Sequence, residues 1–546
     1  MPDAPNPLYY LSNFQQALAW LRERYADLLS APESQFMAAF GELPVASQAL
    51  LVRLVMRKGA LFRRDKLTYA EIGAIDAAVA PLLRHGWIDA QPELTLPQVF
   101  ALLTRPELEA FLPPPPTGLR KNAWLEMLQS QPAATRPLSA WTGDATRIVY
   151  HVTIAPLCTR LRLLFFGNFR QDWAEFVLAD LGVFKYEVVD LPVSSRAFHC
   201  RADIEHFYAL HECRQKLHDG VDPTQVLEQM PGEASANEWL AQRRARLLYH
   251  IASQYEREGD LEQAAIVHAR SAHPESAVRA IRISERLGNH LEAHAACVAR
   301  LREADRPAER EALQRILTRV SGRLGLPTQS PRPRAQPERL DLLLPAPPAA
   351  ERVEQAVRTQ LGSADAPVFY VENALIPSLF ALLCWPAIFA PVPGAFFHRF
   401  QSGPADLLSP RFYAARKEQF DACLARLDGG DYRAAIRATL QAKHGTQAPF
   451  VYWGVLTQEL LDLALDCVPP SHLRLCFERL LENVQDNRNG LPDLIQFWPA
   501  EKRYRLIEVK GPGDRLQHNQ RRWLAFCQQH GIPVAVCHAR RESAPT

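Results

Sequence analysis

The sequence predicts a multidomain, mainly α-helical protein that closes in a mixed α/β domain. Three observations predict it. At 546 residues the chain has room for three or four domains of roughly 150 residues each. Apolar residues recur at helical spacing through most of the length, including one internal repeat. Only the last stretch alternates with a period of two, then returns to a helix and a closing strand. Composition narrows the class further. Hydrophobic residues make up 47% and charged residues 22%, the balance of a soluble globular chain. No apolar run approaches the ~20 residues that span a bilayer, so no membrane partner is expected. The opening "MPDAPNPLYYLSNF" lacks the basic and apolar regions of a signal peptide, which points to a cytoplasmic protein. Ten cysteines stand singly, without a CxxC pair, arguing for a reducing compartment and against a disulfide frame or structural zinc. Net charge is only +2, so a nucleic-acid surface would be a local basic face.

Residues 1–90 contain helix, basic turn, helix and short strand, in "SQALLVRLVM", "RKGALFRRDKLTY" and "AAVAPLLRHGWIDA". The turn carries Arg57, Lys58, Arg63, Arg64 and Lys66 against Asp65, with Phe62 and Tyr69 interleaved. Cations mixed with aromatics suit backbone phosphates, and a solvated turn is the plain alternative. Residues 91–150 hold "LTLPQVFALLTRPELEAFLPPPPTGLRKNAWLEMLQS", two short amphipathic helices about a proline turn, with Gly118, Arg120 and Lys121 opening the second. This resembles the SAP helix–extended–helix module, which grips DNA through its backbone; a helical hairpin without a ligand is the alternative.

Residues 151–235 form a helical connecting region, with a buried helix expected in "HVTIAPLCTRLRLLFF". His199, Cys200, His206, His211 and Cys213 crowd together, but their spacings fit no closed zinc pattern. Residues 236–325 repeat: "YEREGDLEQAA" and "SERLGNHLEAHAA" align Gly259 with Gly288 and Ala264 with Ala293, a period of 29 residues. Glycine ends one helix and alanine lets the next approach closely. The segment looks like a degenerate tetratricopeptide-type (TPR-like) array, suited to docking a protein partner or to holding two working parts apart. Residues 326–350, "LPTQSPRPRAQPERLDLLLPAPPAA", read as a stiff linker. Residues 351–546 form the last domain.

There the chemistry concentrates, in "LPDLIQFWPAEKRYRLIEVKGPGDRLQHNQ". A half-buried hairpin is expected, with turn chemistry in "PAEKR". Strand periodicity puts Tyr504, Leu506, Glu508 and Lys510 on one face and Ile507 and Val509 on the other. The hairpin brings Asp493 alongside Glu508. Two carboxylates held close repel unless a cation or a proton intervenes. A hard divalent cation resolves this, since Mg²⁺ takes oxygen ligands, and the Val509 carbonyl could complete its shell. Lys510 can position an attacking water or neutralise charge at a phosphoryl centre. Asp514 is placed as N-cap of the following helix, with Gln517 in capping-box position. Leu516, Trp523, Leu524 and Cys527 give that helix its apolar side, Gly531 stops it, and "IPVAVCHA" closes the sheet. Arg515 and Gln520, near the strand end, suit phosphate or water; Arg521 and Arg522 read as solvated surface.

Asp493 followed by Glu508-x-Lys510 on neighbouring strands is the arrangement of the PD-(D/E)xK nucleases, and Pro492 supplies the first letter. The wording "LPDL…LIEVKGPGDRL" resembles the VRR-NUC subgroup, and within it the Fanconi-associated nuclease family. Upstream, "VENALIPSLFALLCWPAIF" and "FQSGPADLLSPRFYAARK" are similar to the first helix and following segment of that family's nuclease domain. The resemblance implies a C-terminal restriction-endonuclease-like domain and a structure-selective DNA nuclease. Members act as 5′-flap endonucleases and 5′-to-3′ exonucleases on branched DNA, depend on Mg²⁺ or Mn²⁺, and serve interstrand-crosslink repair. By position Glu372 matches the acid on the domain's first helix that completes the metal site, with Glu354 the alternative. The chain looks like a bacterial, nucleoid-associated form. It shows no spacing for the ubiquitin-binding zinc finger of eukaryotic members, and residues 1–90 would be helical or winged-helix-like and bind DNA. A non-catalytic scaffold with a decayed nuclease fold, or a four-way-junction resolvase of the same fold, are the rival expectations.

Overall fold

The computed structural model describes residues 7–128, 135–173, 184–232, 237–327, 337–345 and 352–541. The chain divides into two compact units, Met1–Val183 with His199–Arg201, and Phe184–Phe198 with Ala202–Thr546. Among the described residues no helix is long and apolar enough to cross a membrane.

The first unit begins with helices Tyr9–Tyr25, Ala31–Glu42 and Val45–Val55. Ser30 caps the second: its hydroxyl accepts from the Glu33 N–H while Glu33 reaches back to the Ser30 N–H. The basic turn is not a plain turn. It contains strand β1 (Leu61–Arg63) and a single 3₁₀ turn, Arg64–Lys66. Helix Ile75–Arg84 leads into β2 (Ile88–Asp89), and both strands pair antiparallel with β3 (Val149–Val152), which lies between them. Phe62 registers with Tyr150 and Ile88 with Val152. The sheet of the winged-helix-like region therefore takes its central strand from beyond the SAP-like segment, which is an insertion between β2 and β3. That insertion has one break more than its sequence suggests. Its first helix splits into Leu96–Leu102 and Arg105–Glu109, because Thr95 and Thr104 each start a capping box, with Gln98 and Glu107. Trp124, on helix Lys121–Leu128, is fully buried and packs edge-on against Phe100 at 5.2 Å. Helix Ala155–Phe166 is the buried helix expected in the connecting region.

The second unit opens its repeats with helices Glu238–Glu258 and Leu261–Ala269, followed by Ser276–Arg286, His290–Glu303 and Pro307–Arg323. The two aligned glycines take equivalent left-handed conformations, φ 89° at Gly259 and 85° at Gly288, which cost a residue with a Cβ far more. Ala264 and Ala293 are both fully buried at helix–helix contacts.

A five-stranded mixed sheet carries the last domain, in the order β4-β8-β7-β6-β5. The strands are β4 (Glu338–Leu344), β5 (Val368–Tyr370), β6 (Leu494–Trp498), β7 (Arg503–Lys510) and β8 (Val534–Arg541). β8 runs parallel to β4 and β7, while β5, β6 and β7 pair antiparallel. β4 falls inside the stretch expected to be linker; its leucines settle against β8 despite the flanking prolines. The two faces of the sheet bury different cores. Ile507, Val509 and Leu494 meet helix Val353–Leu361 through Val357. Tyr504, Leu506, Ile495 and Phe497 meet the helices that occupy residues 371–493 and helix His518–Gln529. The alternation read from the sequence holds, but the hairpin is covered on both faces, not one.

Candidate active site

The β6–β7 hairpin turns through Pro499–Glu501, with Lys502 in the left-handed region at φ 49°. Leu494 registers with Ile507, so the preceding residue, Asp493, stands across from Glu508 on the same face. The ladder with β5 continues one residue past Tyr370, where the Val371 N–H donates to the Asp493 carbonyl at 2.8 Å. These strand ends place three charged groups in a buried position: Glu508 is 0% exposed, Asp493 7% and Lys510 8%.

Their partners are few. Asp493 Oδ2 accepts the Val509 N–H at 2.8 Å. Lys510 Nζ lies 2.8 Å from Glu508 Oε1. Among the described residues Lys510 is the one cation in contact with Glu508, and no backbone or neutral side-chain group donates to either of its oxygens. Two buried carboxylates sharing a single lysine are costly. The electrostatics record that cost. Burial, and then the charge of Asp493, push the Glu508 carboxyl up to about 7, against the pull of Lys510. Burial likewise pushes Asp493 up to about 6, with Glu372 and Glu354 adding to the rise and the Val509 N–H opposing it.

Both candidates for the further acid thus lie within electrostatic reach of Asp493. Glu354 sits in the first turn of helix Val353–Leu361. Glu372 is not on a helix, as its resemblance suggested, but exposed in the turn after β5. Asn373 takes φ 50° there, and the helix begins only at Leu375. The Tyr370 hydroxyl donates to Glu372 Oε2, and Asn373 Nδ2 donates to Oε1 at 3.3 Å. Tyr370 and Asn373 gave no sequence signal, since a tyrosine at a strand end and an asparagine beside an acid are commonplace. Val509 was expected to offer a carbonyl; the contact it makes to Asp493 is through its N–H. Among the described residues no three carboxylate, imidazole or thiol groups stand ready as a closed metal cage. Asp493 is drawn to Val509 and Glu508 to Lys510, and a cation would have to pull the acids inward. The donor set nevertheless fits a hard divalent ion: oxygens only, with two of the carboxylates buried and Glu508 held by Lys510 alone.

The basic residues scatter more than their sequence suggested. Arg57 and Lys58 line a cavity of about 420 Å³ with Arg162 and Trp173. Arg57 also reaches the Tyr69 hydroxyl at 3.2 Å. Arg63 is enclosed, its side chain 11% exposed between Asp65 and Glu107. Its guanidinium holds the Glu107 carboxyl down at about 2. Arg64 forms a two-point pair with Asp76, and Lys66 lies 4.0 Å from Asp65. Arg120 is exposed, whereas Lys121 donates to the Leu103 carbonyl at 2.6 Å and so ties the SAP-like helices together. Arg515 is exposed. Gln520 is occupied, because the last helix is capped by Gln517, and Gln520 Oε1 accepts the Gln517 N–H at 2.8 Å. The expected cap, Asp514, instead accepts the Gly511 N–H at 2.9 Å and tightens the turn leaving β7.

Comparison with known proteins decides the family. The VRR-NUC domain family matches residues 428–541, the FAN1 HTH domain residues 8–89, and the Fanconi anemia-associated nuclease SAP domain residues 93–141. The chain is 52% identical to the Fanconi-associated nuclease 1 homolog of Pseudomonas aeruginosa, covering 99% of this chain and 97% of that protein. The chain belongs to the Fanconi-associated nuclease family. Similarity to the Oryza sativa homolog is 25% and spans 63% of that longer protein, while the human Fanconi-associated nuclease 1 matches at 34% identity over 173 residues. A crystal structure of paFAN1 bound to DNA with a 2-nucleotide 5′ flap and a gap superposes with a TM-score of 0.93 at 51% identity, over 100% of both chains. As a Fanconi-associated nuclease, the chain is an enzyme that acts on DNA through its VRR-NUC domain, and the Asp493–Glu508–Lys510 end of the sheet lies in the segment that this domain family matches.

Proposed function

We propose that this Fanconi-associated nuclease hydrolyses a phosphodiester in DNA carrying a 5′ flap, with Asp493, Glu508 and Glu372 holding Mg²⁺ or Mn²⁺. The observation that carries the reading is the buried Glu508 carboxylate, held by Lys510 alone and standing across from a second buried carboxylate, Asp493. A divalent ion there supplies Lewis acidity to the phosphoryl oxygens. The side chains do the rest. Glu508 and Asp493 present their carboxylates on one sheet face, and the Val509 N–H fixes how Asp493 turns. Lys510 holds its ammonium where it can orient the attacking water and balance charge growing on phosphorus. Arg57, Lys58, Lys66, Arg120 and Arg515 are proposed to meet phosphates. Arg63, Arg64, Lys121 and Gln520, also expected at DNA, are engaged by neighbouring groups of the chain. Choice of 5′-flap DNA follows the DNA bound by the relative in the solved complexes, and selection by shape and bending at the junction is the physical route to it. A role in interstrand-crosslink repair, at the bacterial nucleoid, extends the same proposal.

Incubation of the protein with end-labelled 5′-flap duplex, with and without Mn²⁺, is the direct test. Cleavage should require the ion and vanish in Asp493→Ala, Glu508→Ala and Lys510→Ala while flap binding stays near normal. Full cleavage by any of the three variants overturns the site. Binding without cleavage under every ion tried would favour the scaffold reading.

A further inference from the structure

We infer that Tyr370 and Asn373 are positioning residues that clamp the Glu372 carboxylate and tie its turn to the strand entry carrying Asp493. The inference rests on Glu372 being a metal ligand, as proposed above.

The physical problem lies at the end of the sheet. The β5–β6 ladder makes its last bond between the Val371 N–H and the Asp493 carbonyl. Beyond it the chains diverge, one into the helix from Leu375 and the other back through Leu491 and Gly490. Backbone donors at such a fork have lost their strand partner, and buried amides without an acceptor are expensive. Asn373 supplies the acceptor. Its Oδ1 receives the Gly490 N–H at 2.8 Å and the Leu491 N–H at 3.1 Å. The amide nitrogen of the same side chain points to Glu372 Oε1 at 3.3 Å. One planar group therefore joins the Glu372 carboxylate to the peptide two residues before Asp493.

The other side of the carboxylate is held by Tyr370, whose hydroxyl donates to Oε2. Tyr370 registers with Leu494 and is half-buried, so its ring is anchored in the sheet and its hydroxyl is not free to wander. Both oxygens of an exposed glutamate are thus engaged by neighbours at fixed points of the backbone. The backbone of Asn373 is chosen for the task as well. At φ 50° most side chains are strained, and asparagine tolerates that region best after glycine. The far wall of the junction is equally tight. Gly490 has φ 94°, and a Cβ built there would stand 2.8 Å from the backbone carbon of Asn519, in the first turn of the last helix. Neither jaw is assigned a contact with the reacting phosphate; both act through Glu372. Partners of this kind around a ligand typically alter metal affinity roughly 10- to 100-fold when removed.

The test uses full-length protein and Mn²⁺ alone, read by calorimetry or by the electron-spin signal of the free ion. Asn373→Gly keeps the left-handed turn and removes every side-chain bond; Tyr370→Phe keeps the ring and removes only the hydroxyl. Each should weaken Mn²⁺ binding by roughly tenfold or more, with flap-DNA affinity in EDTA unchanged. Glu372→Gln runs alongside. Weakened binding in Glu372→Gln with wild-type binding in both clamp variants overturns the clamp alone. Wild-type binding in Glu372→Gln removes Glu372 from the metal site and the clamp with it. Should Asn373→Gly melt several degrees lower, Tyr370→Phe still decides the question, because it disturbs no backbone contact.

Discussion

Replacing Glu508 by glutamine should favour the metal-free protein more at pH 8 than at pH 5, although it destroys the site. Glu508 ionises near its ordinary value in the unfolded chain, but burial and Asp493 push it from 4.5 up to about 7 in the fold. The folded state therefore holds the proton to higher pH than the unfolded state does. For an acid shifted upward the contribution is a penalty, absent below about pH 4, growing as pH rises, and complete above about pH 7. A tenfold change in proton affinity corresponds to about 1.4 kcal/mol, so a rise of this size sets a ceiling of about 3 kcal/mol on the penalty. Lys510 faces an uncharged partner in the variant at both pH values and in the wild type at pH 5, so the pH 5 to pH 8 difference in the variant's advantage reads the penalty itself, a few kcal/mol at most. The assay is chemical denaturation of wild type and Glu508→Gln in EDTA, following the transition of the second unit at pH 5 and pH 8. Relative to wild type, the variant should stand clearly higher at pH 8 than at pH 5. Added Mn²⁺ should raise the wild type and leave the variant largely unmoved. A variant whose stability relative to wild type is the same at pH 8 as at pH 5 refutes the picture of a carboxylate penalised by burial.

Two more measurements probe the rest of the molecule. Arg57→Ala with Lys58→Ala should weaken flap-DNA binding and flatten its salt dependence by about two phosphate contacts, whereas Arg63→Ala should lower stability by about 1–3 kcal/mol and change the salt slope little. Binding that responds to Arg63 and ignores Arg57 and Lys58 would reverse that assignment. Gly490→Ala meets the Asn519 backbone at 2.8 Å and a φ of 94°, so it should cost roughly 1–3 kcal/mol and depress cleavage; unchanged melting and rate would mean the junction yields easily.

The hairpin was legible because its grammar is local. A period of two from Tyr504 to Lys510 puts alternate residues against two different cores, and that alternation survived in the structure. Pairing Asp493 with Glu508 needed only a tight turn between the strands. The helical repeat was legible for a similar reason, since Gly259 and Gly288 advertise a left-handed end at a fixed spacing. What escaped was set by distant partners. β4 sits among prolines and became a strand through β8, nearly 200 residues later. β3 had no visible link to Phe62 or Ile88. Glu372 slipped off its helix because Asn373, answering the needs of Gly490 and Leu491, turned the backbone first. The basic run overstated free charge, since Glu107 lies 44 residues from Arg63 and closes over it.

The insertion between β2 and β3 is moored at both ends to one small sheet whose middle strand is β3. A protease cutting once in the Pro113–Pro116 bend would leave two fragments that remain clasped, each supplying strands to the other. The SAP-like hairpin can thus lengthen, shorten or be nicked without drifting away from its foundation, and it cannot be reeled out on a single leash.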